Sequence, residues 1–255
     1  MSKQRQEDDG LLLGRNPVRE ALQRAPRRIE KVLLQQGGAD LSEIRRLAEH
    51  AGVQLQYVPA GRLNQLARGL NHQGVAALTS PVAYVEVHEM LEDIAPVREA
   101  VAARKPRVLV LDGIQDPFNF GAILRTAVAA GTAGVIIPGR DMAPLNAAAM
   151  KASAGTAGRI PIARVADLSE TIYQLKERGY WVAGASPSGD VSVWEMDWNR
   201  PVVIIIGSEG GGIRRRVLEA CDYSVRIPLS GPSESLNASV AAGILLFAAA
   251  REENA

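Results

Sequence analysis

Short apolar runs alternate with amphipathic stretches through the second half of the chain. Five strands are predicted at 107–111, 135–138, 160–165, 180–185 and 202–206, where short runs rich in apolar residues occur. Helical patterns separate them at 117–131, near 145–152 and at 168–178. A helix at 213–221, a strand at 224–227 and an apolar helix at 236–250 complete the pattern. This alternation predicts an α/β fold with a mostly parallel sheet that is covered on both faces.

The first 80 residues repeat the alternation on a smaller scale. Helices are predicted at 16–22, 41–51 and 60–70, and strands at 29–34, 53–58 and 75–78. This order predicts a small three-layer α/β domain. The acidic stretch 81–104 breaks the pattern and is interpreted as a linker, so the predicted division is 1–80, 81–104 and 105–255.

Two polar loops near the C-terminus are the strongest candidates for a ligand site. The loop GSEGGG at 207–212 follows the strand at 202–206, and a second loop at 230–235 precedes the last helix. We expect these loops to meet at the carboxyl ends of neighbouring strands, where open α/β sheets bind ligands. Glycine lets the backbone approach a ligand, and N–H groups that begin the next helix can face it. The alternative is a tight turn without a ligand.

Several function classes lack their signatures. No Gly-Lys-Ser/Thr occurs, and the glycine spacing does not fit the G-x-G-x-x-G of a dinucleotide-dependent oxidoreductase. A Ser-His-Asp hydrolase centred on Ser208 or Ser235 is disfavoured because every histidine precedes residue 105. No carboxylate–histidine cluster predicts a metal site.

Composition and charge limit the cellular compartment and the partners that the sequence predicts. No apolar run approaches the roughly 18 residues of a membrane span, and the N-terminus lacks a signal peptide. Cys221 is the only cysteine, which fits a reducing cytoplasm. Residues 1–80 carry 12 Lys/Arg against 8 Asp/Glu, so a weakly basic face there is a candidate for phosphate contacts.

Three separated motifs carry a family resemblance. The segments IIIGSEGGGI at 204–213 and RIPLSGPSESLNAS at 226–239 resemble the last two motifs of the SpoU (TrmH-type) RNA ribose 2′-O-methyltransferases of the SPOUT superfamily. The segment DPFNFGAILRT at 116–126 is similar to their first motif. The resemblance implies S-adenosylmethionine as cofactor, a trefoil knot in the C-terminal domain and a homodimer.

The resemblance also implies the site residues. Arg125, Asn119, Glu209 and Asn237 match polar motif positions and are the predicted catalytic group, whereas Gly207, Gly210, Ile227, Leu229 and Leu236 are predicted to contact the cofactor. Simpler roles stay open for the first four. Asn119 is interpreted as a helix N-cap, Arg125 as part of a surface ion pair, Glu209 as a charge before a helix and Asn237 as a cap.

Methyl transfer to a ribose 2′-hydroxyl fits the residues that the chain offers. The reaction needs alignment and exclusion of water, and it needs neither a metal nor a histidine. A guanidinium is not a free base, so we expect Arg125 to clamp the phosphate and stabilise charge that develops on the 2′-oxygen. A phosphate oxygen or solvent then takes the proton.

The N-terminal domain carries the evidence on which class of RNA is the substrate. The segments GRNPVREAL at 14–22 and NHQGVAAL at 71–78 resemble the RNA-binding extension of the subgroup that methylates guanosine in large-subunit (23S) ribosomal RNA. A transfer-RNA enzyme, an antibiotic-resistance ribosomal RNA enzyme and a non-catalytic RNA-binding module stay open as alternatives. The helix at 236–250 is apolar all round, which predicts burial on every side and favours a homodimer interface there.

Overall fold

A computed structural model describes residues 10–37, 40–232 and 235–251 of the chain. Its contacts divide the chain into two units. The first unit comprises the residues up to Ala83 together with Pro144–Ala147, and the second comprises Tyr84–Ala143 and Ala148 onward. Each unit is built around its own β-sheet.

The first unit contains a mixed four-stranded sheet in the order β1-β4-β2-β3. Its elements are β1 (Leu11–Leu13), α1 (Arg15–Arg24), a 3₁₀ turn (Pro26–Arg28), β2 (Ile29–Gln35), α2 (Ser42–His50), β3 (Leu55–Val58), α3 (Ala60–Ala67) and β4 (Val75–Thr79). Strand β4 runs antiparallel to β1 and β2, and β2 runs parallel to β3. The sequence pattern did not predict β1, which has only three residues.

Alternation along β2 produces the layers of the first unit. Val32 and Leu34 pack in one cluster with residues of α1 and α2, whereas Leu33 packs in another with Leu63 of α3. Successive side chains of a strand point to opposite faces, so one strand supplies both cores. The predicted small three-layer α/β arrangement is therefore observed.

The segment predicted as a linker is part of the second unit from Tyr84 onward. It forms α4 (Val87–Ile94) and α5 (Arg98–Arg104), and its apolar side chains are buried in the core of that unit. Met90, Leu91 and Val101 are nearly inaccessible to solvent. The linker interpretation was wrong because it weighed the acidic residues, which occupy the outer faces, above these helically spaced apolar ones.

The second unit contains a seven-stranded sheet in the order β7-β6-β5-β10-β8-β11-β9. Its strands are β5 (Arg107–Asp112), β6 (Gly134–Pro138), β7 (Ile162–Val165), β8 (Trp181–Ala185), β9 (Val191–Ser192), β10 (Val202–Gly207) and β11 (Tyr223–Arg226). Its helices, after α4 and α5, are α6 (Pro117–Ala129), α7 (Ala147–Ala152, whose first residue is grouped with the first unit), α8 (Leu168–Glu177), α9 (Arg215–Glu219) and α10 (Ala238–Arg251). Every paired strand in this sheet runs parallel to its neighbour.

The central strands explain the apolar runs of the sequence. All residues of β5 and β6 are buried, as are the first five residues of β10. Strands covered on both faces need apolar residues at consecutive positions, in contrast to the alternation of β2. The α/β fold class with a parallel sheet is confirmed, and the trefoil knot stays a prediction from the family resemblance.

Two further expectations need correction. Strand β8 lies between β10 and β11, so the two polar loops do not follow neighbouring strands. The helix after the glycine-rich loop is only the short α9, and the backbone N–H of its N-cap Arg214 donates to Asp112. That N–H is therefore not available to a ligand. Within the described part of the chain, no helix is long and apolar enough to cross a bilayer.

Candidate active site

The loops that follow the parallel strands lie at one edge of the large sheet. Residues 113–116 follow β5, residues 186–190 follow β8, residues 208–214 follow β10 and residues after Arg226 follow β11. Parallel strands place their carboxyl ends together, which is where such sheets bind ligands. All predicted catalytic and cofactor residues lie in these loops, at the end of β10 or on the helices α6 and α10 that adjoin them.

The glycine-rich loop closes on itself as a small hairpin. The N–H of Ser208 donates to the carbonyl of Gly212 at 3.0 Å, and the N–H of Gly212 donates back to Ser208 at 2.9 Å. The Ser208 hydroxyl also accepts a hydrogen bond from the N–H of Gly211 at 3.2 Å. Gly212 has a φ of 64°, a left-handed conformation that glycine adopts without strain.

Gly207 and Gly210 serve this loop in different ways. A Cβ on Gly207 would lie 2.0 Å from the carbonyl carbon of Gly212, so the hairpin closes only over a glycine. A Cβ on Gly210 would meet nothing within 4 Å. We predicted both glycines for close approach to a ligand. The geometry gives Gly207 a structural reason of its own and leaves the tip at Gly210 open.

A buried ion pair ties this loop to the end of β5. The Asp112 carboxylate is wholly buried and accepts hydrogen bonds from the backbone N–H of Arg214 at 2.8 Å and from its Nε at 2.7 Å. A second guanidinium nitrogen of Arg214 lies 2.7 Å from the same carboxylate. Both guanidinium nitrogens lie at Oδ1 and the backbone N–H at Oδ2, so Arg214 engages both oxygens of the carboxylate. Sequence reasoning missed this pair because its members are far apart and carry no local pattern.

Three of the four predicted catalytic residues form one chain of hydrogen bonds. The amide nitrogen of Asn119 donates to the Glu209 carboxylate, and the amide nitrogen of Asn237 donates to the Asn119 oxygen at 3.1 Å. Asn119 lies on α6, Glu209 in the glycine-rich loop and Asn237 before α10. The structure therefore brings all three predicted sequence motifs into direct contact.

The capping roles fall on different residues from those expected. Asp116 is the N-cap of α6, and its carboxylate accepts from the N–H of Phe118 at 3.1 Å. Asn119 lies inside the first turn, which leaves its side chain free to join Glu209 and Asn237. Asn237 does cap a helix, because its side-chain oxygen accepts from the N–H of Ser239 at 2.9 Å. It thus combines the predicted cap with the contact to Asn119.

Arg125 is exposed on α6, two turns from the start of the helix. Among the residues that the structure describes, none forms a hydrogen bond or an ion pair with its guanidinium. The surface ion pair considered as its simpler role is therefore not formed with a described residue. Its donors are therefore not used by any described residue.

The residues predicted to contact the cofactor form a partly apolar surface. Ile227 and Leu229 follow β11, and Leu236 precedes α10. Leu229 is 38% exposed, whereas Ile227 and Leu236 are half-buried. The backbone N–H groups of Leu229 and Leu236 donate to no backbone carbonyl of a described residue. Apolar walls with free backbone donors suit the adenosine part of a nucleoside ligand.

The aromatic residues near this edge divide into two kinds. Trp198 is buried, and its indole N–H donates to the Val193 carbonyl at 2.9 Å, so it packs as a core residue. Trp194 is 64% exposed. The described residues contain no group of three or more His, Cys, Asp or Glu side chains that could hold a metal ion.

Comparisons with known proteins agree with the geometry. A model of the SpoU rRNA methylase family matches residues 106–247, and a model described as RNA 2′-O ribose methyltransferase substrate binding matches residues 11–85. A Bacillus subtilis protein named "Putative TrmH family tRNA/rRNA methyltransferase YacO" is 38% identical over 245 residues. That match covers 95% of this chain and 96% of the relative.

Two solved structures show the same fold. An S-adenosylmethionine-bound rRNA methyltransferase from Sinorhizobium meliloti has a TM-score of 0.60 and 26% identity, over 99% of this chain and 91% of its own. The TrmH/SpoU tRNA-modifying enzyme of A. aeolicus has a TM-score of 0.55 and 26% identity, over 65% and 85%. These relatives name both classes of RNA, so the 23S subgroup stays a prediction. The chain belongs to the SpoU rRNA methylase family and is an RNA 2′-O-methyltransferase.

Proposed function

We propose that the protein transfers a methyl group from S-adenosylmethionine to the 2′-hydroxyl of a guanosine in 23S ribosomal RNA. The reaction takes place in the cytoplasm, where that RNA is made. The observation that carries the proposal is the hydrogen-bonded chain Glu209–Asn119–Asn237, which joins three motifs that are distant in the sequence. Its central residue, Asn119, lies on the same helix as Arg125, which has no partner among the described residues.

The residues of the carboxyl edge fit S-adenosylmethionine. Leu229 and Leu236 offer apolar side chains and backbone N–H groups that donate to no backbone carbonyl of a described residue, and Ile227 is half-buried. The closed hairpin from Gly207 to Gly212 would hold the opposite side, with the open tip at Gly210 towards the ligand. When bound, this cofactor supplies a methyl group that is already activated by a positively charged sulfur.

Arg125 acts on the RNA in this proposal. Its guanidinium carries no described partner, so it can bind a phosphate oxygen and stabilise negative charge on the 2′-oxygen as the proton leaves. A guanidinium does not accept a proton at neutral pH, so a phosphate oxygen of the substrate or solvent receives it. The Asn119 amide donates to Glu209 and accepts from Asn237, so in this proposal it orients these two side chains and takes no part in proton transfer.

The first unit binds the RNA substrate in this proposal. It is the part matched by the substrate-binding model, and it carries the excess of basic residues. Part of that excess is engaged internally, since Arg24 pairs with Glu20 and Arg28 donates to the Pro81 carbonyl. We therefore expect recognition by specific contacts in addition to general attraction to phosphates.

We also propose that the enzyme is a homodimer through α10. One face of this helix, with Ala242, Leu245 and Leu246, is buried within the second unit. Val240 and Phe247 on another face are 50% and 53% exposed, so the chain alone does not bury the helix on every side as the sequence predicted. A second copy placed on this face would remove that apolar surface from water.

Light scattering tests the dimer. The wild-type protein should have twice the 27.3 kDa mass of one chain at micromolar concentration, and Phe247→Asp should be monomeric or insoluble. Tyr173→Asp, which alters an equally exposed aromatic residue on α8, is the control and should stay dimeric. A wild-type mass of one chain would contradict the proposal.

The function itself is tested on RNA from a deletion strain. Mapping of 2′-O-methyl groups in total RNA should show one guanosine of 23S ribosomal RNA unmethylated in that strain and restored by the wild-type gene. A lost methyl group in transfer RNA would keep the chemistry and replace the substrate. An unchanged map would contradict the proposed activity.

A further inference from the structure

A polar cavity of about 570 Å³ opens in the first unit, and none of its lining residues belongs to the candidate active site. Its walls are Arg15 and Asn16 at the start of α1, Gln35 at the end of β2, and Gln73 and Gly74 in the loop before β4. The volume is within the range of small-molecule sites, which run from about 300 to 1,000 Å³. Three of the five lining residues carry a carboxamide, and none is aromatic.

The loop that forms one wall is held in place by its own hydrogen bonds. The Gln73 side-chain oxygen accepts from the N–H of Arg15 at 3.0 Å, and the N–H of Gln73 donates to the side chain of Asn71 at 3.1 Å. His72 accepts from the N–H of Gly74 at 3.0 Å through Nδ1, and its Nε2 lies 2.9 Å from the Asn64 oxygen. The wall is therefore fixed before any ligand arrives.

Gln73 is held in an unfavourable backbone conformation. Its φ of 50° lies in the left-handed region, which a residue with a side chain seldom adopts. Such strain persists only where the surroundings over-determine it, and it is concentrated at ligand sites. Here it directs the Gln73 carboxamide to the cavity beside Arg15.

The cavity offers more hydrogen-bond donors than acceptors. The Gln73 and Asn16 oxygens already accept, from the Arg15 N–H and from the Arg19 side chain at 3.0 Å. Their NH₂ groups, the Gln35 carboxamide and the Arg15 guanidinium make no hydrogen bond to a described residue. A ligand that matches these walls presents strong acceptors, such as carbonyl oxygens, to them.

We propose that this cavity binds one unpaired base of the RNA substrate, and that the base carries carbonyl oxygens, as uracil and guanine do. The inference rests on the proposed function and names the recognition site of its RNA. Proteins read RNA sequence chiefly at unstacked bases, through hydrogen bonds to their edges and stacking on arginine planes. Carboxamides and guanidinium groups are the side chains that pair with base edges in two-point fashion.

The charge of the cavity favours a base over a bare phosphate. Arg15 is the only ionisable residue among the lining residues, and the Asp40 carboxylate lies close enough to interact with it electrostatically. The remaining side chains are neutral amides. A phosphate site concentrates positive charge and backbone N–H groups, which this cavity does not.

Titrations of the full-length protein test the site without any methylation assay. We would follow the side-chain NH₂ resonances of Asn16, Gln35 and Gln73 by NMR while adding UMP, GMP, AMP or ribose 5-phosphate at millimolar concentration. UMP and GMP should shift these resonances more than AMP, and ribose 5-phosphate should leave them in place. Equal shifts from ribose 5-phosphate, larger shifts from AMP, or no shift from any probe would overturn the proposal.

A matched pair of variants connects the cavity to the substrate. Gln35→Leu removes a lining carboxamide, whereas Gln36→Leu alters the next residue, which is exposed and does not line the cavity. With ribosomal RNA purified from the deletion strain, Gln35→Leu should raise the KM for RNA about tenfold and leave kcat and S-adenosylmethionine affinity unchanged. Gln36→Leu should change none of these values.

The outcomes separate this inference from the proposed function. A wild-type protein that gives the UMP and GMP shifts but methylates no ribosomal RNA supports the base site and contradicts the ribosomal RNA assignment. An active enzyme in which Gln35→Leu and Gln36→Leu have the same KM contradicts the base site alone. Circular dichroism and thermal unfolding of both variants establish that the comparison is made between folded proteins.

Discussion

The polar side chains at the carboxyl edge of the large sheet bond to one another, whereas those in the cavity of the first unit keep unused donors. At the edge, Asp112 holds Arg214, and Asn119 joins Glu209 to Asn237. In the cavity, the Gln35 side chain forms no hydrogen bond to a described residue. The Gln73 side chain uses only its oxygen, which accepts from the N–H of Arg15. Both regions are polar, but the five edge residues named here are paired with one another, whereas the cavity residues leave donors unpaired among the described residues.

The two arrangements suit two different functions, catalysis and the recognition of a base. Groups that stabilise a transition state act best when they are fixed in advance, because they then need no reorganisation during the reaction. Groups that read an RNA base must leave their donors and acceptors open until the base arrives. Arg125 is the exception at the edge, since it is exposed and lacks a described partner. We call the paired residues Asp112, Arg214, Glu209, Asn119 and Asn237 the framework of this edge. We infer that the framework positions Arg125, which has no partner among the described residues.

The largest expected effect follows from removing that free group. Arg125→Ala should lower kcat by about a thousandfold, because one preorganised charge donor to a developing oxyanion contributes that much. The dissociation constant of S-adenosylmethionine, measured by calorimetry, should stay within a few-fold. Arg178→Ala is the control, because it removes a half-buried arginine that ends α8, contacts His88 and lies outside the predicted site, and it should retain full activity. A mutant with most of its turnover would exclude Arg125 from the mechanism.

The framework can be broken at its buried ion pair. The Asp112 side chain is 0% exposed and that of Arg214 is 55% exposed, so the two partners are not equivalent. Arg214→Ala leaves a buried carboxylate without its partner and should cost about 3 kcal/mol of unfolding free energy. Asp112→Asn leaves an arginine that can turn to solvent, and the lost charged hydrogen bonds should cost about 1.5 kcal/mol.

Urea unfolding of both variants measures this asymmetry. Equal losses of stability would show that the pair does not tie the glycine-rich loop to β5 through a buried charge. Arg214→Ala should also weaken S-adenosylmethionine binding, because the hairpin from Gly207 to Gly212 is then no longer tied to β5 by the ion pair with Asp112.

The hairpin itself offers a closer comparison of two glycines. Gly207→Ala places a Cβ 2.0 Å from the backbone of Gly212 and should cost about 2 kcal/mol through overpacking. Gly210→Ala meets nothing within 4 Å and should change stability by only a few tenths of a kcal/mol. Thermal unfolding and cofactor titration check both. Weakened cofactor binding by a stable Gly210→Ala protein would show that the ligand approaches the tip of the loop.

The sequence predicted the elements that repeat a pattern and missed those set by distant contacts. The buried strands were evident because a parallel sheet covered on both faces needs consecutive apolar residues, as in β5 and β10. The order of strands was not, since no local signal places β8 between β10 and β11. The pair of Asp112 and Arg214 was missed for the same reason.

Two wrong predictions, the N-cap of α6 and the linker, arose from signals within the local sequence that were weighed incorrectly. Asn119 was assigned as the cap of α6, although Asp116 followed by Pro117 is the stronger signal for a helix start. The segment 81–104 was assigned as a linker on its acidic charge, although Met90, Leu91 and Val101 were spaced for burial. In contrast, the motif resemblance named Asn119, Glu209 and Asn237 together, and the structure joins all three by hydrogen bonds.

The smallest expected effect concerns Cys221, which follows the short helix α9 and packs against the core of the second unit. Burial raises the pKa of its thiol to about 12, the charge of Asp222 adds to the shift, and Lys176 opposes it. The thiol sulfur lies 3.4 Å from the Val217 carbonyl, so the neutral S–H is the form that the fold accommodates. Because the pKa of the folded thiol exceeds its ordinary value of 9.0, this contribution to stability is present below pH 9 and declines as the pH rises towards 12. At pH 8, iodoacetamide should therefore label the folded protein at least about a hundredfold more slowly than the urea-unfolded chain. Equal labelling rates would mean that the region beneath the hairpin opens readily, and the fixed framework inferred for this edge would then have to be abandoned.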